Sequence, residues 1–193
     1  MLLKISGKGR PYRLFVAGLH GDEWKYTSDI LLSIAPPATG MVAVMPVIDR
    51  SKYLSTLDPG YYYGKGASIL EAIRQIDPYV YVELHSYSAC NREKLTDKGR
   101  IDMVGVPGFS VMEEGVLLGS VSPHIRRDHL SPDTLCLSFE IQRSNERSRA
   151  FATRMLDVVR ECDSREDFIK YVRKHYPVQA KKAIEDYKRF YGL

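Results

Sequence analysis

The stretch Leu14-Phe-Val-Ala-Gly-Leu-His20-Gly-Asp-Glu23-Trp24 decides how the rest of the chain is read. An apolar run leads into His-Gly-Asp-Glu, and Trp24 to Ile34 follows with the pattern of a helix. A strand-like approach, a glycine turn and a helix start place His20 and Glu23 at the carboxyl end of a strand, where open α/β sheets bind ligands. A His and a Glu three apart across such a turn can aim both side chains at one ion. Zinc accepts imidazole nitrogen and carboxylate oxygen, and a catalytic zinc uses three protein ligands with one position left open. The competing reading makes His20 a turn residue and Asp22 the cap of the next helix.

Two further stretches bear on that choice. Tyr79-Val-Tyr-Val-Glu83-Leu-His85-Ser86-Tyr87-Ser88 is rich in β-branched and aromatic residues up to Leu84 and reads as a strand, with His85 where it gives way to a polar turn. Leu135-Cys-Leu-Ser-Phe-Glu140-Ile-Gln-Arg143 is a strand carrying one carboxylate among apolar neighbours. A buried acid is costly unless it is paired or works beside a metal, so Glu140 needs an explanation.

In this order, His20-Gly-Asp-Glu23, Glu83-Leu-His85-Ser86-Tyr87 and Ser138-Phe-Glu140 resemble the zinc carboxypeptidase superfamily, which includes the aspartoacylase and succinylglutamate desuccinylase group. The resemblance runs from about Tyr12 to Arg143. It implies one zinc held by His20, Glu23 and His85, and an amide hydrolase in which Glu140 is the general base. It implies an arginine in the region of Arg50 that polarises the scissile carbonyl as a catalytic group or binds a substrate carboxylate, and a pocket wall that includes Ser86 and Tyr87. The chain departs from the pattern in one respect. Carboxypeptidases hold a terminal carboxylate with an Asn-Arg pair between the first zinc Glu and the second His. Here that interval has Asp49-Arg50, and the Asn91-Arg92 pair comes after His85.

Glu83 stands two residues before His85 and so shares its strand face. It is either a carboxylate that orients a metal ligand or a satisfied structural acid. The expected substrate is a small molecule or short peptide, with or without a carboxylate. An alternative is a metal-binding protein without catalysis, acting in a complex.

The 193 residues suit one α/β domain, with a metal-site core over residues 12–143 and a helical region over 144–193. Net charge of +4 permits an acidic substrate or a nucleic acid without arguing for either. Cys90, Cys136 and Cys162 form neither a disulfide framework nor a zinc ribbon. No signal peptide or membrane-length apolar run is seen, and a cytoplasmic protein is expected.

Strands are expected at Leu2–Ser6, Tyr12–Ala17, Met41–Pro46, Tyr79–Leu84, Met103–Val106 and Leu135–Arg143. Helices are expected at Trp24–Ile34, at a capping box Ser68-Ile-Leu-Glu71, from Ser110 to Gly119, and at Asn145–Cys162. A second capping box at Ser164-Arg-Glu-Asp167 and Pro177 open the last two. The segments 89–99 and 120–133 read as loops, and the role of Tyr61-Tyr62-Tyr63 is open. Strands alternating with helices indicate a mostly parallel or mixed sheet covered by helices. The C-terminal basic and aromatic residues raise an RNA-binding reading, but Phe168, Val172 and Tyr176, like Ala180, Ile184 and Tyr187, recur at helical spacing and read as core packing.

Overall fold

The computed structural model describes residues 2–192, apart from the side chain of Tyr191; Met1 and Leu193, included in the single-domain expectation, lie outside them. Strands β1 (Lys4–Lys8), β2 (Tyr12–Ala17), β3 (Gly40–Met45), β4 (Val80–Tyr87), β5 (Ser110–Val111), β6 (Leu117–Gly119) and β7 (Leu135–Gln142) form one mixed sheet. Its order is β1-β3-β2-β4-β7-β6-β5. The four central strands, β3, β2, β4 and β7, run parallel, whereas β1, β6 and β5 join antiparallel to their inner neighbours.

The helices are α1 (Trp24–Leu32), α2 (Ala67–Ile76), α3 (Arg92–Thr96), α4 (Arg100–Val104), α5 (Pro123–Asp128), α6 (Glu146–Glu161), α7 (Arg165–His175) and α8 (Pro177–Tyr191). Two apolar layers follow from strand alternation. Val80, Val82 and Leu84 of β4 and Leu137 and Phe139 of β7 pack with α1, α6 and α7. Tyr81 and Cys136 face the other way, onto α2, α5 and the Tyr61-Tyr62 loop. That second face carries Glu83, His85 and Glu140.

Several expectations are corrected. Met103 and Val104 end α4, which Gly105 closes at φ 78, so residues 103–106 form no strand. Residues 110–119 are a hairpin, β5–β6, with Glu114 and Gly115 both at positive φ. Buried Val116, Leu117 and Leu118 lend the segment to the sheet edge, which outweighs the cap-like Ser110. Residues 89–99 contain α3, and 120–133 contain α5, whose Ser122 accepts the His124 N–H. Helix α2 starts at Ala67 behind Gly66, with no side-chain cap, so Ser68-Glu71 is not a capping box. A Cβ on Gly66 would approach the Tyr61 ring to 2.5 Å, so glycine lets the ring lie under the helix start. The Ser164–Asp167 box does cap α7. Of the C-terminal spacing, Phe168, Val172 and Ala180 are buried and Tyr176 packs against them, while Tyr187 stays partly exposed.

Candidate metal centre and its pocket

The turn after β2 delivers the first two residues. Gly18 sits at φ 57, and a Cβ there would lie 2.8 Å from that of Trp24, so the turn needs glycine to bring α1 close. Thr27 locks it, donating its hydroxyl to the Glu23 carbonyl at 2.8 Å and accepting the Gly18 N–H at 3.2 Å. Asp22 does not cap α1; Glu23 occupies that position without a capping side chain. His20 and Glu23 are both turned inward, 7% and 2% exposed.

Strand β4 runs through His85 to Tyr87 instead of ending at Leu84, and all eight of its residues are buried. His85 stands against Glu140 of β7 in register, and Glu83 against Ser138. Glu83 accepts the hydroxyls of Tyr62 and Tyr81, each at 2.8 Å, and its other oxygen lies 3.3 Å from Nε2 of His85. The opposite ring nitrogen, Nδ1, is 3.2 Å from Oε1 of Glu23, which also accepts the Ser86 N–H at 3.3 Å. Glu83 therefore fixes the orientation of the imidazole, as the outer partner of a ligating His does.

Two atoms remain unsatisfied. Nδ1 of His20 and Oε2 of Glu23 lie 3.6 Å apart, buried and without a hydrogen bond among the described residues. Buried polar atoms are nearly always paired, so such a pair calls for a missing partner. One donor atom from each of His20, Glu23 and His85 lies within 4.8 Å of the others, and these three form a candidate metal-binding triad. Two nitrogens and a carboxylate fit a divalent transition-metal ion. Burial, aided by the charge of His85, pushes His20 down to about 4, leaving a neutral imidazole with a free lone pair near neutral pH. Burial opposes charge on both Glu23 and His85, but their mutual attraction wins, lowering the carboxyl and raising the imidazole.

Glu140 is half-buried at the edge of this group. Burial, reinforced by the Glu23 charge, pushes it up to about 7 against the opposing pull of His85, Arg100 and Arg143. Its carboxyl has no hydrogen bond or ion pair among the described residues, and it lines the adjoining cavity.

These groups open into a cavity of about 870 Å³. Ser86 lines it, but its hydroxyl and carbonyl accept from Arg143 at 3.1 and 3.3 Å. Tyr87 forms wall only, its hydroxyl donating to the Gly115 carbonyl at 2.6 Å. Arg50 is not on the wall. It is exposed and stacks over the Trp24 ring at 4.3 Å, apart from the groups that line the cavity.

Sequence reading missed Arg100 and Arg143, which do line the cavity with Lys94. Arg100 donates to the Pro107 carbonyl at 2.9 Å and lies over Phe109 at 5.2 Å. Among the described residues none of these three cations touches a carboxylate. Tyr53 was also missed; its ring stands edge-on to that of His20 at 4.4 Å. No motif marks these residues, although Arg143 follows Glu140 on the same extended run. Tyr61 and Tyr62 are core residues beneath the site and not a flap; the Tyr61 hydroxyl donates to the Leu19 carbonyl at 2.6 Å. His124 lies outside the triad, and His129 faces Tyr63 at 3.4 Å.

Residues 8–192 match the family described as "Uncharacterized protein conserved in archaea (DUF2119)", and the chain belongs to that family. A relative from Methanocaldococcus jannaschii, also described as an uncharacterized protein, is 32% identical and is matched over 100% of this chain and 96% of its own length. Among solved structures, a variant of the cell shape determinant protein Csd4 from Helicobacter pylori is similar over 46% of this chain and 28% of its own. Its TM-score is 0.33 at 20% identity, and it carries no argument. No described helix is long and apolar enough to cross a membrane.

Proposed function

We propose that this member of the archaeal family is a zinc-dependent hydrolase of amide bonds, working as the zinc carboxypeptidase superfamily does. The observation that carries the reading is the pair of buried, unpartnered donor atoms, Nδ1 of His20 and Oε2 of Glu23, beside the unpaired carboxyl of Glu140. His20, Glu23 and His85 would hold the ion, and Glu83 would hold the far nitrogen of His85. A bound zinc supplies Lewis acidity, acidifying water and polarising a carbonyl oxygen. Glu140 takes the proton of the attacking water and passes it to the leaving nitrogen. A resting pKa of about 7 suits both transfers. Arg100 and Arg143, with Lys94, take over the carboxylate-binding role expected of Arg50. The substrate is then a small molecule or short peptide with an anionic group. Three free cysteines, two of them buried, suit a cytoplasmic setting.

The test is metal content and turnover of untagged protein. About one zinc per chain is expected, lost in a His20→Ala, His85→Ala double variant. Glu140→Gln should keep the metal and lose about 10²- to 10⁴-fold in kcat on a panel of N-acyl amino acids and blocked dipeptides. Full metal retention by the double variant would sink the site. Undiminished turnover in Glu140→Gln would remove the base.

A further inference from the structure

The cavity is larger than the metal centre needs, and its composition changes along its length. At the Glu140 end its wall includes Lys94, Arg100 and Arg143. It then continues past Leu118 and Val121 and the first half of β7 to Phe168, Val172 and Ile184 on α7 and α8, and charged residues of the same two helices, Arg165, Glu166, Arg173, Asp186 and Lys188, also reach its wall. Strand β6 pairs with β7 only from Ser138 to Glu140, so the sheet edge is open beside Leu135, Cys136 and Leu137. The five-residue step from Glu140 back to Leu135 spans roughly 17 Å at about 3.3 Å per residue.

A cavity of about 870 Å³ lies within the range of ligand pockets, far beyond the volume of one amino acid. Its apolar wall residues offer a surface that an apolar guest can cover. The guest is not a peptide strand added to the open edge. The Leu135 N–H already bonds the Tyr79 carbonyl on the β4 side, so alternation turns outward only the backbone pair of Cys136 in that half. One residue offers no ladder.

We propose that the cavity binds an anionic amphiphile, with its charged head at Arg100, Arg143 and Lys94 and a hydrocarbon chain along the open edge of β7 to α8. Resting on the amide-hydrolase reading, the substrate class is the long-chain N-acyl amino acids. Water then forms a C–O bond at the acyl carbon as the C–N bond breaks. The water's proton goes to nitrogen, and a fatty acid and an amino acid leave.

Binding is tested on metal-free protein with cis-parinaric acid, a fluorescent fatty acid, and turnover on zinc-loaded protein with N-acyl amino acids of rising chain length. Wild type should bind about one probe per chain. Ala183→Trp, which fills the apolar arm, and Ile184→Lys, which charges it, should each weaken binding by roughly tenfold or more. Both sites are half-buried on α8, and unchanged thermal midpoints confirm that the variants fold. Arg50→Ala, away from the cavity wall, should bind the probe as wild type does.

No probe binding, or equal binding by wild type and both variants, overturns the proposal, as does displacement of the probe by apolar peptides but not by fatty acids. Probe binding without hydrolysis of any amide leaves the arm standing and removes the hydrolase reading. Hydrolysis that ignores chain length does the reverse.

Discussion

Glu83 shows how one side chain sets a site it does not complete. It is fully buried, takes two tyrosine hydroxyls on one oxygen and holds His85 with the other. Glu83→Gln keeps the shape but replaces an acceptor for the His85 N–H with an amide that can present its own donors. Outer partners of this kind are worth about 10- to 100-fold in metal affinity, and a competition titration against a chelator should read that loss. Unchanged affinity would make Glu83 a packing residue only. The arginines divide in the opposite sense. Arg50→Ala should leave turnover and zinc content unchanged, and should cost about 0.5–1 kcal/mol of stability through its lost contact with Trp24. Arg100→Ala should raise KM for anionic substrates with kcat less affected, and equal effects from both variants would refute the division.

At the scale of elements, α7 depends on a reciprocal cap. The Asp167 N–H donates to Oγ of Ser164 at 3.3 Å, and Oδ2 of Asp167 accepts the Ser164 N–H at 2.9 Å and hydroxyl at 2.8 Å. Ser164→Ala should cost about 1 kcal/mol in urea unfolding. Hydrogen bonds from Ser164 hold the Asp167 carboxyl below its ordinary range. Its stabilisation is therefore complete above the unfolded value of about 3.9 and is lost as pH falls through the lower folded value. The gap between wild type and Ser164→Ala should narrow as pH falls from about 5 to about 2; a gap that widens on acidification would contradict the cap. The β5–β6 hairpin shows a different balance. Ser110-Val-Met-Glu113 has the composition of a helix start, yet a sheet edge beside β7 buries Leu117 and Leu118 better than a surface helix would.

For the whole molecule, the candidate metal site should couple metal binding to stability. Folding alone leaves His20 Nδ1 and Glu23 Oε2 without partners, and the unfolded chain does not hold the three donors together. A ligand that binds only the folded state stabilises it by about 2.7 kcal/mol at 100 times its Kd. Zinc should raise the thermal midpoint, a chelator should reverse the rise, and His20→Ala should abolish both responses. A midpoint indifferent to zinc in wild type would count against the triad.

The sequence alone placed strands close to β2, β3, β4 and β7, His20 and Glu23 at the carboxyl end of one of them, and the α7 cap, because each rests on neighbours within a few residues. Alternation likewise placed Glu83 and His85 on one face. Folding decided what depends on distant partners. Arg13, inside an apolar strand, is fully buried because it reaches the Cys162 carbonyl 149 residues away and the Thr39 carbonyl at 2.8 Å. Arg143 comes to the cavity because β7 lies beside β4, and Arg100 is held at its wall by the Pro107 carbonyl and the Phe109 ring, while Arg50, at a strand exit by sequence, is drawn off to Trp24. Local propensity sees the periodicity of one element; which side chains share a pocket is set by sheet order, and sheet order is a property of the packed chain.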